Sequence, residues 1–91
     1  MATYLVTYDL NKETKRPPIV DAIVNIANGW AKLSESSYAI GFGGPPESVY
    51  AALTPMLDDN DTLYVISMRK PFAGQGEPEV NQWLADMLAN S

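Results

Sequence analysis

"TYLVTYDLNKETKRPP", residues 3–18, decides how the rest of the chain is read. Tyr4, Val6, Tyr8 and Leu10 alternate with Leu5, Thr7 and Asp9, the period-two pattern of a strand with two differently used faces. The first set is expected to lie under helices. The run ends on a carboxylate and turns basic at Lys12, Lys15 and Arg16, which a buried strand end has no use for. An end that faces a turn, a metal or a partner does.

Working outward, "PPIVDAIVNIANG" (17–29) places Ile19, Ile23 and Ile26 at helical spacing, with prolines in the first turn and Asn28-Gly29 as a stop. "WAKLSESSYAIGF" (30–42) reads as two strands, about 30–34 and 37–42, joined by a tight connection at 34–36, with one long bent strand as the competing reading. "GGPP" primes a second helix with Val49, Ala52, Leu53, Met56 and Leu57 on one side. Pro55 should disturb its last turn. "TLYVISM" follows as a further strand after the acidic turn "DDND". A Gly/Pro-rich connector, 69–77, leads to a third helix, 78–90, whose apolar stripe is Val80, Trp83, Leu84, Met87 and Leu88.

This order predicts an α+β, ferredoxin-like βαββαβ sandwich with an added C-terminal helix, one domain over 1–91 with its core in 1–68. Right-handed crossovers set the first strand between the third and the last, both antiparallel to it. Asp9 is then expected to share one end of the sheet with Ser36, Ser37, Asp58, Asp59 and Asp61. Arg69 and Lys70 belong at the other end.

Ninety-one residues leave room for one core. With neither cysteine nor histidine, the chain has no disulfide, thiolate or imidazole chemistry, so any catalyst would rely on oxygen ligands. The formal net charge of −5 works against a large nucleic-acid footprint, and the six basic residues form no long stripe. No apolar run is long enough to span a bilayer and no basic segment precedes an apolar one in signal-peptide fashion, so a cytoplasmic location is expected.

"MATYLVTYDLN", the "GWAKLSESSYAIGF" element and the strand after an acidic turn resemble the Cas2-like superfamily, and most of all its SinR-like branch, over about residues 3–68 and again in the last helix. The resemblance implies a homodimer with Asp9 near the two-fold axis. It also implies a defence- or phage-related setting. In some Cas2 proteins the equivalent aspartate is assigned to metal-dependent nuclease activity. The chain departs from that pattern in its acidity and in having no recognisable strand beyond Met68 to exchange with a partner.

The residues themselves leave several readings open. Asp9 is expected either to accept backbone N–H groups in the turn that follows, to hold Mg2+ or Mn2+ together with its copy from a second subunit, or to make a metal-free dimer contact. "DDND" reads as a solvated turn, and "GFGGPP" lacks the spacing of a phosphate loop. Lys12, Lys15 and Arg16 are candidates for a partner or phosphate contact beside the first helix, although Pro17 and Pro18 remove two N–H donors there. Trp83 is expected to anchor the third helix, and Trp30 either to lid the core or to join a partner-facing patch.

One face of the bare sandwich carries no helix. Leu5, Thr7, Ala39 and Gly41, with Leu63 or Ile66 depending on the parity of the last strand, are expected to form a dimer face there. The favoured expectation is a small acidic homodimer without cofactor or catalysis that binds another macromolecule, a protein before a nucleic acid. The alternative is a divalent-metal-dependent nuclease using Asp9 from both subunits.

Overall fold

The period-two stretch forms the first and longest strand, β1 (Ala2–Asp9), at the interior of a four-stranded antiparallel sheet. The computed structural model describes residues 2–12, 14 and 16–89. Along the chain follow α1 (Arg16–Ile26), β2 (Gly29–Ser34), β3 (Ser37–Phe42), α2 (Pro46–Leu53), β4 (Thr62–Ser67) and α3 (Pro78–Met87). The sheet order is β2-β3-β1-β4, and every neighbouring pair is antiparallel. This is an α+β architecture of one antiparallel sheet and three helices, compatible with a ferredoxin-like fold.

Alternation along β1 separates the two faces. Tyr4, Val6 and Tyr8 are buried against Ile19 and Ile23 of α1 and Val49 and Leu53 of α2, together with Tyr38, Ile40 and Leu63 of the neighbouring strands. Burying side chains of this size stabilises by roughly 1.5–3 kcal/mol each before ordering costs are subtracted. The register pairs Val6 with Tyr38 and Val65, and Tyr8 with Leu63. Leu63 therefore belongs to the helix-covered face, while Tyr64 and Ile66 stand beside Thr7 and Leu5 on the other.

Two phenols fix the ends of the hydrophobic layer. Tyr4 donates its hydroxyl to the Gly44 carbonyl at 2.7 Å, tying down the loop after β3. Tyr8 donates to the Glu35 carbonyl at 3.0 Å, tying down the β2–β3 turn. That turn is further closed by Ser34 Oγ and Ser37 Oγ, 2.6 Å apart, so the region folds as two strands and not as one bent strand. Pro55 ends α2, and the chain tightens there into a 3₁₀ turn over Thr54–Met56. The missing proline N–H cannot continue an α-helical ladder.

The face opposite α1 and α2 is not bare. Ala31, Ala39 and Gly41 are buried on it, because α3 returns along β2. The indole Nε1 of Trp83 comes within 3.8 Å of the point a Gly29 Cβ would occupy. Glycine and alanine along this part of β2 and β3 let the helix approach closely. Leu88, just past the end of α3, is fully buried, whereas Trp83 is half-buried. The expected helix ran to residue 90, which lies outside the described residues; its regular part ends at Met87, and Leu88 is the deeper anchor.

Candidate functional site

The two regions singled out by sequence are the acidic end of the sheet and the face away from α1 and α2. At the sheet end, β1 terminates at Asp9 opposite Thr62 of β4, and the Tyr8 N–H reaches the Ser36 carbonyl at 2.9 Å. Asp9, Ser36, Ser37 and the 58–61 turn therefore share one end, as the topology requires. At the opposite end the Met68 N–H reaches the Thr3 carbonyl at 2.9 Å, and Arg69 and Lys70 follow it there.

The carboxylates at this end do different work. Asp61 accepts the Asn11 N–H through Oδ1 and the Asp58 N–H through Oδ2, both at 2.8 Å. It thereby clasps the segment leaving β1 to the turn entering β4. This is the turn-holding role that the sequence reading offered to Asp9. Asp9 itself is exposed, and no hydrogen-bond donor among the described residues reaches its carboxylate. The sequence predicts a solvated turn at "DDND", and a turn forms there, but the stretch contains no signal that distinguishes one aspartate from another. A contact between residues 50 apart is visible only once β1 and β4 are paired.

Of the basic trio, Lys12 is exposed and Lys15 lies outside the described residues. The Arg16 guanidinium stands 3.6 Å from the Glu35 carboxylate, joining the start of α1 to the β2–β3 turn. Glu35 is largely in solvent there, so the pair is screened and contributes little to stability. An anion binding at this place would compete with Glu35. Burial lifts the Tyr8 hydroxyl above its ordinary pKa, with Tyr38 and Glu35 adding to the rise and Arg16 opposing it. Among the described residues no three acidic side chains converge on a point where they could hold a metal ion. A metal at Asp9 would depend on carboxylates from two copies, with water or phosphate oxygens completing its shell.

The sheet face is divided by α3. Ala39 and Gly41, expected between two copies, are buried within the chain, since α3 occupies the β2–β3 half. Leu5 and Thr7 remain half-buried on the β1–β4 half. They adjoin Ile66, 50% exposed, and Tyr64, 62% exposed. The register makes these four neighbours: Leu5 faces Ile66 and Thr7 faces Tyr64. Asp9 lies on the same side of β1, one pleat further along.

No protein-family model matches the chain, and no curated protein matches it. No helix among the described residues is long and apolar enough to cross a membrane.

Proposed function

We propose that the chain is a small acidic interaction protein that works as a homodimer: a ferredoxin-like βαββαβ sandwich with an added C-terminal helix, of Cas2-like and SinR-like type. The observation that carries this reading is the uncovered β1–β4 half of the sheet. Leu5, Ile66 and the Tyr64 ring form a contiguous strip beside a free sheet edge. A second copy is the occupant a self-complementary two-fold contact would supply. The remaining surface then binds another macromolecule, a protein in preference to a polyanion because the chain carries a charge of −5. The defence- or phage-related setting rests on the resemblance of the sequence.

Light scattering coupled to size exclusion tests the dimer. The wild type is expected at twice the chain mass and Ile66→Lys at the chain mass, with the circular dichroism of the two alike. A wild type that stays monomeric at high micromolar concentration removes the reading.

A second reading, a divalent-metal-dependent nuclease, is favoured by one observation: Asp9 is exposed on that same face and has no protein donor among the described residues. Two copies brought close by a two-fold would either share a cation or raise each other's pKa. In that reading the metal would polarise a phosphoryl oxygen or acidify a bound water.

A further inference from the structure

The two edges of the sheet are built differently. β2 carries Lys32, loses its register with β3 between Lys32 and Ser34, and has α3 packed along it. A charge, an irregularity and a covering helix are ordinary means of keeping an edge strand from pairing again. The β4 edge has neither charge nor irregularity: Thr62–Met68 contains no charged residue, proline or glycine, and its register with β1 is unbroken. No strand among the described residues lies beyond it. α2 packs on the buried face of β4 and leaves a groove of about 450 Å³ beside the strand. Pro46, Glu47 and Tyr50 form one bank of it and Leu63, Tyr64 and Val65 the other.

Hydrogen-bond parity decides which backbone groups of this edge are unused. The Met68 N–H reaches the Thr3 carbonyl at 2.9 Å, and Ile66 and Tyr64 stand opposite Leu5 and Thr7. In an antiparallel pair, residues bonded to a neighbour alternate with residues whose N–H and C=O point away from it. The even-numbered residues of β4 are therefore bonded to β1. The N–H and C=O groups of Leu63, Val65 and Ser67 are directed outward, away from the sheet.

We infer that two copies of the chain pair along β4, antiparallel about a two-fold axis at Val65, so that two four-stranded sheets become one. The inference rests on the homodimer proposed above and states how its copies are joined. The strand is its own complement. With Val65 opposite Val65 of the second copy, Leu63 meets Ser67, and the outward N–H and C=O groups of all three residues are paired in both copies. Tyr64 then stands opposite Ile66 on the uncovered face, an aromatic and β-branched cross-strand pair of the kind that stabilises sheets. These are the two most exposed large apolar side chains among the described residues, at 62% and 50%. The neighbouring registers that keep the same parity set Tyr64 on Tyr64 or Ile66 on Ile66, and leave Ser67 or Leu63 without a strand partner. A second copy also brings no charged side chain to the joined strands, although the whole chain carries −5. Like-charge repulsion is thereby kept off the contact.

Two measurements on the full chain test the joint. The first is amide hydrogen exchange by NMR. The Leu63, Val65 and Ser67 N–H groups should exchange at least about tenfold more slowly in the wild type than in Ile66→Lys, the variant expected to be monomeric. The second is disulfide cross-linking, which is unambiguous because the chain has no cysteine of its own. Hydrogen-bonded residues facing each other across an antiparallel pair lie about 5.5 Å apart at Cα, within disulfide reach. Val65→Cys should therefore give a covalent dimer with oxidised glutathione. Thr62→Cys should not, because the axis at Val65 places its two copies about 20 Å apart. A dimer by light scattering whose Leu63, Val65 and Ser67 amides exchange as fast as in Ile66→Lys overturns the edge pairing and leaves the homodimer standing. So does a dimer in which Val65→Cys fails to cross-link, or in which Thr62→Cys cross-links equally well. A monomeric wild type overturns both.

Discussion

The backbone N–H of Asn11 donates to the Asp61 carboxylate at 2.8 Å, so the segment that leaves β1 is fastened to the turn that enters β4. The same carboxylate accepts the Asp58 N–H, and a single side chain thereby sets both the exit from one strand and the entry into its neighbour. Asp61→Ala frees two backbone donors at once. A loss of about 1–2 kcal/mol is expected, comparable to removal of a good helix cap. Asp61→Asn, which keeps one acceptor oxygen, should lose about half of that. Urea denaturation of the three proteins measures the series, and equal stability of wild type and Asp61→Ala would show that the clasp is dispensable.

Asp9 should behave differently although it stands close by in sequence and on the same end of the sheet. Asp9→Asn removes no hydrogen bond among the described residues, so its stability should stay within about 0.5 kcal/mol of the wild type. On the interaction reading there is also no metal-dependent cleavage to lose. Assaying purified wild type and Asp9→Asn side by side with magnesium and manganese decides the matter. Cleavage present in the first and absent from the second would establish the nuclease reading.

Tyr8 makes stability depend on alkaline pH. Its pKa is raised in the folded protein by burial first and by Tyr38 next, while the unfolded chain titrates near pH 10. Below that value both states keep the proton and the contribution is complete. Above it the unfolded chain loses the proton first, so stability falls as pH rises toward the folded value. The loss should be smaller in Tyr8→Phe, whose denaturation midpoint ought to change less between neutral pH and the alkaline side of pH 10. Parallel alkaline slopes in the two proteins would remove Tyr8 as the cause.

The third helix should be anchored more by Leu88 than by Trp83. Leu88 is fully buried at the end of α3, and Leu88→Ala should cost about 2–4 kcal/mol, in the range for a leucine truncated in a packed site. Trp83 keeps part of its ring in solvent, so Trp83→Ala should cost less, about 1–2 kcal/mol, despite the larger side chain removed. Thermal denaturation gives the order directly. The reverse order would mean that the indole carries the docking of the helix.

Element types and their sequence of appearance were legible in the residues because local patterns carry them. Period two along residues 3–9 encodes a strand, and helical spacing with prolines at the first turn encodes α1 and α2. The serine-rich turn between β2 and β3 and the interruption at Pro55 were legible for the same reason: turn closure and a missing N–H are properties of a few adjacent residues. Strand order followed from connection rules, which place Asp9 beside the 58–61 turn before any side chain is positioned.

Tertiary structure alone decided the assignments that depend on who meets whom. Nothing in "DDND" distinguishes Asp61 from Asp58 or Asp59; pairing of Asp9 with Thr62 brings the Asn11 N–H to the Asp61 carboxylate. Strand parity likewise left Leu63 and Ile66 interchangeable until the register with β1 put Leu63 under the helices and Ile66 opposite Leu5. The apolar stripe of α3 announced that the helix must dock, but a stripe specifies no target. Its return along β2 buried Ala39 and Gly41 and left Leu5 and Thr7 on the uncovered half. Hydrophobic burial is non-directional, so the periodicity of a helix fixes which of its sides is hidden, while the surface that hides it is chosen by the shape of the assembled sheet.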